Sequence, residues 1–241
     1  MPHPVPAGNR QLPDEMPQDP READLLQSWR TNAVAWSDAV RSGRIRSRTD
    51  VTDAVIRDAI ARCEPQRVLD LGCGEGWLVR HLSATGIDAL GVDATPELVA
   101  LARELGEPSR YAVTSYAALA DDPKMHGTFD LVVANFSLLG DRSTRRVLHA
   151  VPRLLQQGGH LLVQTVHPFT VVGAGPSGWQ PGSWEGCGEG FSDGAPWYCR
   201  TLTDWVMLLT DASLALQTVE EPRSLAGPPA SLLIVAQRTT N

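Results

Sequence analysis

The sequence predicts an α/β fold of the doubly wound kind, and three observations point to it. Short apolar runs alternate with segments of helical periodicity between residues 66 and 167. A glycine-rich turn joins the first run directly to the helix that follows it, and two more strands come near the end of the chain. Strand and helix alternating in this way call for right-handed crossovers and a parallel sheet covered on both faces. The 241 residues suit one large domain carrying an insertion. A composition 42% hydrophobic and 20% charged excludes disordered and coiled-coil chains.

Residues 1–20 hold six prolines and few apolar residues, so a disordered tail is expected there. Leu25, Leu26, Trp29, Ala33 and Trp36 recur at helical spacing over 23–36, as do Val51, Val55, Ile56 and Ile60 over 50–62. Residues 21–65 are therefore read as an N-terminal helical cap, with the basic connector Arg41–Arg48 between its helices. The domain proper runs from 66 to 241, with strands at Arg67–Leu71, Ala89–Asp93, Tyr111–Thr114, Phe129–Asn135 and His160–Val166. Helices are expected near 76–84, 96–105 and 142–156. Residues 168–200, rich in glycine, proline and aromatic residues, show no clear period and read as a long insertion after the fifth strand. A helix near 201–212 and strands at 214–220 and Leu232–Gln237 complete a seven-stranded sheet.

Charge and cysteine content narrow the function. Twenty-eight acidic against 21 basic residues give a net charge of −7, which opposes binding to nucleic acid or to anionic lipid and leaves a small molecule as the expected partner. Four cysteines without a CxxC pair, and no signal-like N-terminus, suit the cytoplasm. Cys187 and Cys199 lack histidine pairs nearby, so no metal site is expected. No apolar run is long enough to span a membrane.

The glycine turn reads Gly72-Cys-Gly-Glu-Gly76, one residue shorter than the dinucleotide fingerprint. Asp70 and Glu75 make it acidic, with no basic residue before Arg80, a poor setting for pyrophosphate and a better one for a cationic ligand. Asp93 ends the second strand, where a carboxylate can accept hydrogen bonds from both hydroxyls of a ribose.

Four segments together resemble the class I S-adenosyl-L-methionine (SAM) dependent methyltransferases of small molecules. Val68–Trp77 is similar to their first motif and Gly91–Thr95 to their second. Phe129–Ser137 resembles the fourth, and Leu154–Val163 the turn before the fifth strand. The resemblance implies a Rossmann-like sheet, mostly parallel, with the last strand antiparallel beside the fifth. It implies SAM as cofactor, S-adenosyl-L-homocysteine as product, and a methionyl part lying over Gly72, Cys73 and Gly74 near Asp70, with the ribose on Asp93. Adenine would lie against Ala94 and near Ser115 and Tyr116, where the family often has an acid or amide. Asn135 and Phe136 would face the sulfonium, and Arg48 would pair with the cofactor carboxylate. Trp77 is read as a cofactor contact or a cap on the loop, and Cys73 also as a small packed residue.

On the acceptor side, His167 follows the fifth strand at the carboxyl edge of the sheet and is the candidate catalytic base, with a structural histidine as the alternative. The three tryptophans of the insertion, Trp179, Trp184 and Trp197, together with Tyr198 are read as an aromatic lid over an apolar or planar acceptor, or else as a satellite core, and Trp36 in the cap as a further acceptor contact. Arg200 would meet an acidic substrate group or a helix-starting carboxylate. The Asn/Asp-Pro-Pro-aromatic motif of amino-methylating DNA enzymes is replaced here by Asn135-Phe-Ser-Leu138. The expectation is methyl transfer to O or N of a small aromatic or apolar metabolite. The alternative is a SAM-binding sensor or accessory protein without turnover, and a homodimer is the expected assembly.

Overall fold

The computed structural model describes residues 19–192, 194–224 and 227–239. Residues 1–18, most of the expected tail, lie outside them. Its last two residues are ordered structure instead. Helix α1 (Pro20–Thr31) opens on a proline at its first position, with the Asp19 carboxylate accepting from Arg21 N at 3.0 Å. Proline's fixed φ and missing N–H cost nothing at that position, and an aspartate satisfies one of the free N–H groups.

The helix expected over 23–36 is two helices. Asn32 stops α1 with its side-chain amide on Ser28 O (2.9 Å), and α2 (Ala33–Arg41) starts immediately after it. The second cap helix begins as a π-turn at Arg48–Thr52 and continues as α3 (Asp53–Arg62).

The main sheet comprises β1 (Arg67–Leu71), β2 (Asp88–Asp93), β3 (Tyr111–Val113), β4 (Phe129–Asn135), β5 (Leu155–Thr165), β8 (Leu214–Glu220) and β9 (Leu232–Arg238). The order across it is β3-β2-β1-β4-β5-β9-β8. The first five strands pair in parallel, and β9 alone runs antiparallel, between β5 and β8. The order reverses between β1 and β4, which places a crevice at the carboxyl ends of those strands. Helices α4 (Trp77–Ala84), α5 (Pro96–Leu105), α6 (Tyr116–Asp121), α7 (Arg142–Leu154) and α9 (Leu202–Asp211) cover the sheet.

Alternation along each strand divides the core. Val68, Leu131, Val133 and Leu162 join Ile56 and Ile60 of α3 and Leu78 and Val79 of α4 on one face. Leu69, Leu71, Val132 and Leu161 meet Val147, Leu148 and Val151 of α7 and Trp205 of α9 on the other. Both faces of a parallel sheet are buried, so its strands read as nearly continuous apolar runs.

The 168–200 insertion has more order than its composition suggests. It holds α8 (Pro168–Val172) and a hairpin of β6 (Gly178–Gln180) with β7 (Trp197–Cys199). Between those strands the loop is pinched where Gly182 and Gly194 cross: a Cβ on Gly194 would stand 2.7 Å from Gly182 C. The loop is tied to the cap by Ser192 N, which donates to Asn32 Oδ1 at 2.7 Å. Asn32→Ala removes this tie, and because Ser192 is exposed to water the substitution is expected to cost about 0.5–1.5 kcal/mol, read as a lower midpoint in urea denaturation.

Candidate active site

The crevice at the β1/β4 switch point opens into a cleft of about 1980 Å³ between the sheet edge, the N-terminal cap and the insertion. Its floor is the turn from β1 to α4. Gly72, Gly74 and Gly76 all adopt left-handed φ values (73°, 57° and 82°), so the chain coils tightly enough to present its backbone to the cleft. A Cβ on Gly72 would collide with Ser137 and lie 2.9 Å from the Tyr116 hydroxyl. The turn is held from β2: Gly72 N and Cys73 N both donate to Val92 O (2.8 and 3.0 Å), and Gly74 N donates to Asp93 Oδ2 at 3.0 Å. Asp93 Oδ1 accepts from Thr95 N at 2.8 Å. One carboxylate thus anchors two loops and keeps lone pairs for a ligand.

Three acids crowd this floor. Glu75 is fully buried, and its carboxylate is taken by Arg80 and by Trp77 N. Asp70 lies buried beneath the turn, and its pKa is pushed up to about 7, first by burial and then by the Asp93 and Glu75 charges. Burial raises Asp93 as well, against the hydrogen bonds it accepts. The Cys73 thiol is pushed up by burial and by Asp70 and Asp93, which makes it a packed, inert residue.

The wall beyond β4 starts at Asn135 and Phe136. Phe136 takes a left-handed φ of 54°, a conformation costing about 1–3 kcal/mol for a bulky residue. Its N–H donates to Gln164 O at 2.7 Å, Ser137 Oγ donates to Leu71 O, and Tyr116 donates its hydroxyl proton to Ser137 O at 3.1 Å. Ser115 Oγ is occupied in capping α6 through Ala118 N (3.1 Å). Ser115 and Tyr116 both line the cleft, while their hydroxyls are bonded within the protein.

The cap forms the opposite wall. Arg48 is buried between Trp77 (4.8 Å) and Trp36 (5.9 Å), and its Nε donates to Asp53 Oδ1 at 3.0 Å. Its Nη2 has no partner, so the guanidinium keeps hydrogen-bonding capacity. Trp77 supports Arg48 as well as lining the cleft.

The cleft therefore brings together Trp36, Arg48, Gly72, Cys73, Gly74, Trp77, Asp93, Ala94, Ser115, Tyr116, Asn135, Phe136 and Trp197. Five expected residues do not line it: Asp70, His167, Trp179, Tyr198 and Arg200. Period-two alternation explains two of these. Val166 faces the cleft and extended backbone turns His167 away, where its Nε2 meets Glu221 at 2.9 Å and it starts α8. On β7, Trp197 faces the cleft and Tyr198 packs edge-on against Trp179 at 5.6 Å. Trp179 is covered in turn by the Arg21 guanidinium at 4.6 Å. Arg200 is buried against backbone carbonyls of 140 and 141, too deep for a substrate.

Trp29 and Phe191, to which the sequence assigns no site role, join the expected Trp36 and Trp184 in closing the cleft over the cap. Trp29 meets Trp36 (5.2 Å) and Trp184 (5.1 Å) edge-on, and Phe191 stacks on Trp184 at 4.7 Å. Trp184 lines the cleft as a member of the expected lid, whereas the only signal at Trp29 is the helical period of the cap. No group of residues suited to a metal occurs among those described, and no helix there is long and apolar enough to cross a membrane.

Comparison with known proteins agrees with this geometry. The family described as methyltransferase domain matches residues 68–159. A ubiquinone biosynthesis O-methyltransferase of Xanthomonas axonopodis pv. citri is 35% identical over 126 residues, covering 47% of this chain and 52% of that protein. The chain spans about half the length of the curated relatives it matches. Among solved structures, a SAM-dependent methyltransferase of Mesorhizobium loti aligns with a TM-score of 0.56 at 24% identity, over 75% of this chain and 96% of that one. The 1,6-didemethyltoxoflavin-N1-methyltransferase of Burkholderia thailandensis, solved with its acceptor and S-adenosylhomocysteine, aligns with a TM-score of 0.63 at 19% identity, over 94% of this chain and 93% of that one. The chain shares the fold of these solved SAM-dependent methyltransferases, and its segment 68–159 matches the methyltransferase-domain family.

Two predictions follow from the charges. A carboxyl whose pKa rises on folding binds its proton more tightly in the native state, so stability falls as pH rises from its unfolded value to its folded one. The unliganded protein is expected to lose stability between about pH 4 and about pH 7 through Asp70. Asp70→Asn should flatten that part of the curve of melting temperature against pH. His167→Gln should lower stability by about 1 kcal/mol through the lost Glu221 bond, with the affinity for S-adenosylhomocysteine unchanged in calorimetry.

Proposed function

We propose that the protein is a SAM-dependent methyltransferase acting on O or N of a small aromatic or apolar metabolite. The observation that carries the reading is the acid-floored glycine turn, held to Asp93 and facing a cleft with an apolar, aromatic rim. Such a floor disfavours a pyrophosphate and suits a sulfonium, whose positive charge the Asp70–Asp93 field attracts. The residues present fit the cofactor. Arg48, with its spare Nη2, is suited to a carboxylate, and the free lone pairs of Asp93 to ribose hydroxyls. Ala94, Ser115 and Tyr116 line the cleft on the side where a purine would lie.

SAM supplies a methyl group on a positively charged sulfur that leaves as a neutral thioether. The protein's part is to align the acceptor in line with that bond and to exclude water. Trp29, Trp36, Trp184, Trp197 and Leu139 provide the apolar enclosure. His167 is bonded to Glu221 outside the cleft and has no part in this scheme. Relatives named as O-methyltransferases and a fold neighbour named as an N-methyltransferase support both acceptor atoms.

The test begins with thermal unfolding. At about 100 times its dissociation constant a ligand adds roughly 2.7 kcal/mol, a rise of roughly 5–10 °C for a domain of this size. S-adenosylhomocysteine should produce that rise and NAD should not, and Asp93→Ala should abolish it. Methyl-labelled SAM offered to phenols, catechols, heteroaromatic amines and aliphatic amines then reads the acceptor class. No shift with S-adenosylhomocysteine would overturn the cofactor reading. Tight binding with no labelled product from any acceptor would favour a non-catalytic sensor.

A further inference from the structure

The loop from Phe136 to Asp141, between β4 and α7, is gripped at both ends. At its start Phe136 N, Ser137 Oγ and Tyr116 tie it to β5, β1 and α6 respectively, as described above. At its far end the grip comes from parts of the chain distant in sequence. Tyr198 N donates to Leu139 O at 2.7 Å. Arg200 Nη2 donates to Gly140 O (2.9 Å), Asp141 O (2.8 Å) and Asp141 Oδ1 (3.0 Å). From α1, Glu22 Oε1 accepts from Arg142 N (2.7 Å) and Ser143 N (3.2 Å), first-turn N–H groups of α7 that have no acceptor within the helix.

Arg200 is an expensive residue for this place. It is 2% exposed, its Nε and Nη1 have no hydrogen-bond partner among the described residues, and the guanidinium lies over the rings of Tyr198 (4.7 Å) and Trp205 (5.4 Å). Apolar side chains of similar volume usually serve stability as well as or better than a buried ion pair. Every hydrogen bond Arg200 makes through its side chain ends on residues 140 and 141.

We propose that Arg200 and Glu22 are positioning residues that fix the Phe136–Asp141 loop against the reacting end of the cofactor. The insertion holds the loop through Arg200 and the cap holds it through Glu22, so the wall facing the methyl group is set only when both are docked. This rests on the SAM reading above, in which Asn135 and Phe136 face the sulfonium. Arg200 is not a substrate ligand in this arrangement; it acts through the loop.

The test uses the whole chain and two ligands that differ only in the methyl group and its charge. SAM and S-adenosylhomocysteine are titrated calorimetrically into wild type, Arg200→Met and Glu22→Ala, with the melting temperature of each variant recorded. A displaced loop should weaken SAM about tenfold and S-adenosylhomocysteine no more than about twofold, because specificity is a difference of affinities. The same split is expected in both variants. Equal weakening of both ligands, or no change in either, would overturn the proposal and leave both residues a structural role. Should Arg200→Met fail to fold, Glu22→Ala, at a half-buried position on α1, decides the matter by the same ratio. A wild-type protein that binds neither ligand would instead overturn the cofactor reading and this inference with it.

Discussion

The carboxylate of Asp93 is the constraint on which the site depends. It stands at the end of β2 and reaches across to Gly74 N, while its other oxygen holds Thr95 N at the start of α5. The glycines of the turn have no side chains to hold them, so their position is borrowed from β2 through Asp93 and the Val92 carbonyl. The strand register between β1 and β2, with Leu71 opposite Val92, puts those groups within reach. Sheet pairing thus becomes ligand geometry.

The acids carry an electrostatic cost that this arrangement offsets only in part. Glu75 is neutralised by Arg80, but Asp70 and Asp93 share one buried region, and the result is an Asp70 carboxyl that titrates near neutrality. On the proposed reading such repulsion suits a positively charged ligand, since a cation beside the two carboxylates would offset it. Stability and ligand preference come from the same charges.

The cleft is completed by segments that lie far apart in the chain. Helix α1 buries no residue of its own, yet Glu22 caps α7, Arg21 covers Trp179 and Trp29 joins Trp184. The insertion returns through Asn32 and through Arg200. Cap, insertion and the loop after β4 are consequently one mechanical unit, and a change in any of them reaches the wall of the cleft.

Much of this protein was legible in its residues alone. The strand at Arg67–Leu71, the glycine turn after it, Asp93 at the end of β2 and the antiparallel β9 all follow from local pattern and from the family resemblance, because hydrophobic period and turn chemistry act between near neighbours. The partnership of Arg48 with Trp77, and the assignment of His167 and Arg200 away from the cleft, were decided only by tertiary structure. Alternation along extended backbone fixes which of two neighbours faces the cleft, and a sequence does not say where that alternation begins beyond a strand's end. The aromatic closure by Trp29, Trp36 and Trp184 depends on a loop crossing at Gly182 and Gly194. Contacts of that range come from how the elements pack and leave no periodic mark on the residues that make them.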